Sequence, residues 1–144
     1  MPRTSSLSHY VLLHACLTLA AFAPVASAQF VFVGPASDPA CNYHTIQEAV
    51  DAWAASTSTD FVEIVIASAQ TYTATAITIP TPVASTGMTL RGDMPGCHLG
   101  GVSGHATLNG AGNGNLPVID VNATVAGDTR RPQINLLNLE ITGG

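Results

Sequence analysis

The sequence predicts an all-β chain built as a solenoid of short strands, entered through one amphipathic α-helix. Three observations lead there. Short runs of Val, Ile, Leu and Thr recur from Phe61 to the end, separated by Gly, Pro and Asn. Hydrophobic residues reach 47% while charged residues supply only 9% of the 144 residues, and the β-branched and glycine-rich mixture favours strands with tight turns over a helical bundle. Clear helical periodicity is confined to the stretch after Tyr43.

The helix is marked at both ends of its first turn. Thr45-Ile46-Gln47-Glu48 is a capping box, in which the Thr45 hydroxyl accepts from the Glu48 amide and Glu48 reaches back. Ile46, Ala49, Val50, Trp53 and Ala54 then form one apolar stripe, which must be covered by something. Ahead of it lies a short strand from Gln29 to Gly34 and a loop to Cys41. After it, strands are expected at Phe61–Ile66, Ala76–Ile79, Met88–Leu90, Ala106–Leu108 and Val118–Val121, with a last stretch from Ile134 to Thr142 divided near Asn138. A sandwich would need hairpin turns, and Asn109-Gly110 is the only Asn-Gly with strands on both sides. A solenoid needs triplets of short strands. Phe61–Gly92 and Ala106–Gly144 each supply one, with Thr-Leu-Arg-Gly and Thr-Leu-Asn-Gly as corners.

Residues 1–28 read as a signal peptide. Arg3 makes the basic start, Tyr10 to Ala23 the apolar run, and Ala26-Ser27-Ala28 the cleavage site. The run is too short to span a membrane, which takes about 20 residues. The organisation is therefore a leader over 1–28, an amino-terminal cap over 29–60 and the first coils of the solenoid over 61–144. Export places the mature chain outside the cytoplasm, secreted or at the cell surface, with no transmembrane segment. Cys41 and Cys97 then form an even pair in an oxidising compartment. Their bridge would stabilise by about 4 kcal/mol through loop closure; two free thiols are the alternative. Cys97, His98 and His105 match no standard zinc spacing, so no metal is expected.

At this point the residues resemble a family. Cys41-x-Tyr43-x-Thr45-Ile46-Gln47-Glu48-Ala49-Val50-Asp51-Ala52 is similar to the opening of secreted proteins of the pectin-lyase-like superfamily. So are Val62–Ile66 with Gln70-Thr71-Tyr72, Met88-Thr89-Leu90-Arg91-Gly92, Ala106-Thr107-Leu108-Asn109-Gly110 and Leu137–Gly144. The resemblance implies a right-handed parallel β-helix whose open end is capped by the helix at Thr45, Ile46, Glu48, Val50 and Trp53. It also implies many further coils, which carry the catalytic or adhesive surface. This chain stops after about two, so a truncated product or fragment is expected, with an exposed last coil able to recruit a second copy.

Chemistry is harder to find. The net charge is −5 and lysine is absent, which excludes a basic face for nucleic acid. The resemblance implies acidic residues binding calcium with an arginine or lysine base in lyases, and clustered aspartates in hydrolases. Asp93, Asp120 and Asp128 with Arg91, Arg130 and Arg131 form no paired-carboxylate motif. No catalytic, cofactor or metal residue is assigned. Arg91-Gly92-Asp93 spells an integrin-binding tripeptide but reads as a strand-ending turn. Gly110-x-Gly112-x-Gly114 does not join a strand to a helix as a nucleotide loop does. Asn122-Ala123-Thr124 is a glycosylation sequon. His44, His98 and His105 read as loop or helix-start residues. The expected function is a secreted or surface-displayed structural or adhesive module, non-catalytic as it stands, for a polysaccharide or cell-surface ligand. The alternative is the amino-terminal part of a polysaccharide lyase or glycoside hydrolase.

Overall fold

A computed structural model describes residues 28–68, 70–73, 76–85, 87–122 and 132–143. The leader expected over 1–28 lies outside them, apart from Ala28. So do Asp128, Arg130 and Arg131.

Strand β1 (Gln29–Val33) comes first, then helix α1 (Ile46–Ala55). The strands β2 (Val62–Ala67), β3 (Thr71–Thr73), β4 (Ile77–Pro80), β5 (Gly87–Met94), β6 (Ala106–Asn109), β7 (Ile119–Asn122), β8 (Gln133–Leu137) and β9 (Leu139–Thr142) follow. They make three sheets, ordered β1-β2-β5-β8, β3-β6-β9 and β4-β7. All these pairings are parallel. From β2 onward, each strand that has a later partner pairs with the strand three places on.

This corrects the expected fold class. The described residues form three small parallel sheets with one short helix, and not a right-handed parallel β-helix solenoid. A solenoid stacks near-identical repeats and needs about three of them. Here the strands vary from 3 to 8 residues, the sheets hold four, three and two strands, and only two rounds place a strand in all three. The connections also differ: 68–70 separates β2 from β3, while 95–105 separates β5 from β6. Short apolar runs bounded by turns specify strands, but they do not specify a uniform repeat.

The core lies between the sheets. Ile64 and Ile66 of β2, Ile77 and Ile79 of β4, Met88 and Leu90 of β5, and Leu108 of β6 are fully buried within it. They are alternate residues of their strands, as the two-residue period of a strand requires. Helix α1 packs on β4, β2 and β1 and buries Ile46, Ala49, Val50, Trp53 and Ala54. Both halves of the capping box form: the Glu48 amide donates to Thr45 Oγ1 at 3.2 Å and the Thr45 amide to Glu48 Oε2 at 3.1 Å. The bonds from Thr45, and that from the His44 amide, hold the Glu48 carboxyl below its usual range. A second tether is the Gln47 side chain, which accepts from Thr78 N at 2.9 Å and donates to Thr78 O at 3.0 Å. It thereby satisfies backbone groups of β4 that face the helix.

Trp53 fixes the helix axially. Its indole N–H donates to Ser85 Oγ at 2.9 Å and Gly87 O at 3.2 Å, and Ser85 Oγ donates to Asp60 O at 3.0 Å. One buried indole therefore joins the helix to the chain before β2 and before β5. Strand β5 runs further than the sequence suggests. Arg91-Gly92-Asp93, expected as a turn, lies inside it. Gly92 allows this, because a Cβ there would lie 2.6 Å from Asn138 O and 2.8 Å from Ala106 Cβ. Strand β3 was not anticipated, since three residues carry no readable period. Asn138 divides β8 from β9 with φ 53°, a conformation that asparagine tolerates better than most residues.

Trp53→Ala should cost about 3–5 kcal/mol, read from urea unfolding. Trp53→Phe, which keeps most of the apolar contact, should cost about 1–2 kcal/mol by removing the indole donor from Ser85 Oγ and Gly87 O, which keep the bonds between Ser85 and Gly87. A Trp53→Phe variant as stable as the native chain would show that packing alone holds the helix, and equal losses for the two variants that the indole hydrogen bonds do.

Candidate functional site

The outward side chains of β2, β5, β6, β8 and β9 build a polar face. Arg91 of β5 reaches across the sheet to Glu63 of β2, with Nη1–Oε1 at 3.0 Å, and its Nε donates to Asp93 Oδ1. Asp93 is 2% exposed and also accepts from Asn138 Nδ2 at 2.7 Å. A buried carboxylate needs such partners. The Arg91 bond, with the Asn138 bond behind it, holds the Asp93 carboxyl below the usual carboxylate range against the opposing effect of burial. The two carboxylates in turn raise the affinity of Arg91 for its proton. Beside this network, Asn135 of β8 donates to Thr89 Oγ1 of β5 at 3.3 Å, so polar contacts continue to the last strand of that sheet.

A second group lies on the neighbouring sheet. Glu140 Oε2 sits 3.1 Å from His105 Nε2 and accepts from Thr107 Oγ1 at 3.0 Å. His105 and Glu140 are more than half exposed and half exposed. With Gly104, Asn138 and Leu139 they line an open cleft of about 390 Å³. A nucleophilic triad would place the histidine between hydroxyl and carboxylate. Here the carboxylate is the shared member, so the imidazole does not activate Thr107. The arrangement presents fixed donors and acceptors to a polar ligand.

The structure places the other singled-out residues as follows. Cys41 and Cys97 form a disulfide with Cα atoms 5.0 Å apart, which ties the loop after β1 to the loop after β5. Thr45 caps α1, and Ile46, Val50 and Trp53 are buried beneath it while Glu48 closes the box. His44 immediately precedes the cap. Asp93 is corrected from a turn residue to a buried member of β5. Asp120 lies exposed on β7, in register with Thr78, and Arg130 and Arg131 lie outside the described residues. Asn122 ends β7, while Ala123 and Thr124 of the sequon also lie outside. Gly110, Gly112 and Gly114 form the turn after β6, with no helix behind them. His105, read as a loop residue, is brought to Glu140 across 35 positions. The only signal for that contact was the lone acid within Leu139-Glu140-Ile141, whose alternation turns it outward. No helix among the described residues is long and apolar enough to cross a membrane.

No protein-family model, curated protein or solved structure matches the chain. The pectin-lyase-like resemblance is therefore not identified by comparison, and the polar face is read on its own geometry.

Arg91→Ala leaves a buried carboxylate with Asn138 alone and should destabilise by about 2–3 kcal/mol. Adding Asp93→Asn should recover part of that loss. Because Asp93 titrates lower folded than unfolded, its stabilisation is present above its unfolded value and is lost as pH falls through the folded one. Acid titration of the unfolding free energy should therefore be flatter in Arg91→Ala, and an unchanged slope would remove Asp93 from the account.

Proposed function

We propose that the chain is an exported structural or adhesive module, secreted or displayed at the cell surface, that holds a polysaccharide or another cell-surface ligand without converting it. The observation that carries this reading is the polar face. Arg91, Glu63 and Asp93 are engaged with one another, and Glu140 is shared by His105 and Thr107. Groups engaged in this way offer oriented hydrogen bonds to hydroxyl-rich ligands. In the open cleft the Glu140 carboxylate is shared by His105 and Thr107 and is not relayed through the imidazole to a nucleophile. The disulfide fits an oxidising compartment.

A second copy of the chain is the partner suggested by the last strands. Leu136, Ile141 and Val121 are 45%, 48% and 53% exposed. Each lies in register with a fully buried residue, Leu90, Leu108 and Ile79 respectively. These three side chains continue the core columns to the surface on strands that end their sheets, the situation in which edges recruit further strands.

Binding of the purified chain to immobilised neutral and acidic polysaccharides should be detectable, and Glu140→Ala should weaken it about tenfold, or about 1.4 kcal/mol. No unsaturated sugar should be released from pectin; its release would favour the amino-terminal part of a lyase and overturn this reading. Sedimentation should show association that rises with concentration and is abolished by Leu136→Lys with Val121→Lys. A concentration-independent monomer would remove the second copy.

A further inference from the structure

Asp38 stands beside the disulfide in a way that disulfide formation does not require. One of its carboxylate oxygens and the sulphurs of Cys41 and Cys97 all lie within 4.8 Å of one another. The aspartate is locked there: its N–H donates to Pro35 O at 2.9 Å, its O accepts from Cys41 N at 3.1 Å, and its Oδ1 accepts from Ala40 N at 3.0 Å. Among the described residues no lysine or arginine pairs with it. The chain has no lysine, and Arg91, the one arginine among the described residues, is engaged by Glu63 and Asp93. His98 follows Cys97 directly. A side chain added at Gly96 would meet His98 Nδ1 at 3.3 Å and Asp38 Oδ2 at 3.9 Å, so imidazole and carboxylate flank the same bare backbone. Gly34 does the same for the sulphurs, both of which would lie 2.6 Å from a Cβ there.

Two sulphurs, an imidazole and a carboxylate on one loop pair are a zinc-type donor set. In the reduced protein, the two thiols would lose their protons beside a carboxylate only if a cation sat among the three groups. We propose that Cys41 and Cys97, once reduced, bind one zinc ion together with Asp38 and His98, so that this corner holds either a disulfide or a metal. The Cα separation of 5.0 Å keeps the sulphurs neighbours after the bond opens, and rotation of the exposed His98 ring brings in the fourth donor. The chemistry balances. A dithiol reductant gives two electrons and two protons to the disulfide and becomes a cyclic disulfide itself. The two new thiols then bind Zn²⁺ and release two protons. Oxidation and metal loss are thereby coupled, and the inference does not depend on what the polar face binds.

The test uses the full chain carrying Cys16→Ser, so that no third thiol contributes. It is reduced with a water-soluble phosphine, which takes up one oxygen from water, and titrated with Co²⁺ and then Zn²⁺. The expected result is one equivalent of Co²⁺ bound with thiolate charge-transfer and tetrahedral d–d bands, displaced by Zn²⁺, and no such bands in the oxidised protein. Asp38→Asn keeps an acceptor for Ala40 N and leaves the disulfide able to form. It should weaken metal binding in the reduced state at least about tenfold. Zn²⁺ should also raise the thermal midpoint of the reduced chain, a readout that persists if reduction loosens the fold. Absence of cobalt bands in the reduced chain, bands of equal strength in the oxidised chain, or undiminished affinity in Asp38→Asn would each overturn the assignment.

Discussion

Helix α1 closes over the inner faces of the sheets, and this closure keeps water out of the core between them. Parallel strands cannot be joined by tight hairpins, so each crossover leaves an inner volume that side chains must fill. Ile64, Ile66, Ile77, Ile79, Met88, Leu90 and Leu108 fill it. Without a cover, the side of that volume facing the chain start would be wet. The helix stripe supplies the cover, and Trp53 fixes its position by donating to Ser85 just ahead of β5 and to Gly87 at its start. A helix of 10 residues is marginal alone. Helix and sheets therefore stabilise each other, and the capping box and the Gln47–Thr78 pair set where the helix starts.

The outer surface follows from the same alternation. Once Met88 and Leu90 are turned inward, Thr89 and Arg91 must face outward on β5, beside Glu63 of β2. The parallel register then places a cation within reach of an acid 28 residues earlier. Asp93 completes the group only because β5 continues past Gly92. The glycine lets the Asn138 carbonyl pass close to the strand, and Asn138 in turn donates to Asp93. Strand length, corner and charge network are one arrangement.

The disulfide acts on a different part of the molecule. It joins the loop after β1 to the loop after β5 across 56 positions, and so restrains the segment that leads into the helix. Asp38 and His98 share that corner without contributing to the bond. Two exposed or half-exposed polar groups beside a buried sulphur give the corner a chemistry separate from that of the polar face.

The local elements are encoded in neighbouring residues. The Thr45–Glu48 box and the Ile46–Ala54 stripe specify the helix, because capping and a 3.6-residue period are written in adjacent positions. The apolar runs specify most strands for the same reason, and the break near Asn138 is visible as a polar residue inside such a run. How many layers form, where β5 ends and which polar groups meet depend on packing between distant segments. The solenoid expected from two triplets of strands became three small unequal sheets, since triplets constrain order but not the lengths of strands and corners. Asp93 was hidden because an Arg-Gly-Asp triplet has the composition of a turn, whereas pairing with β2 on both sides of it carries β5 on to Met94. His105 and Glu140 meet through the pairing of β6 with β9, a contact fixed by register across distant strands and therefore absent from any local pattern.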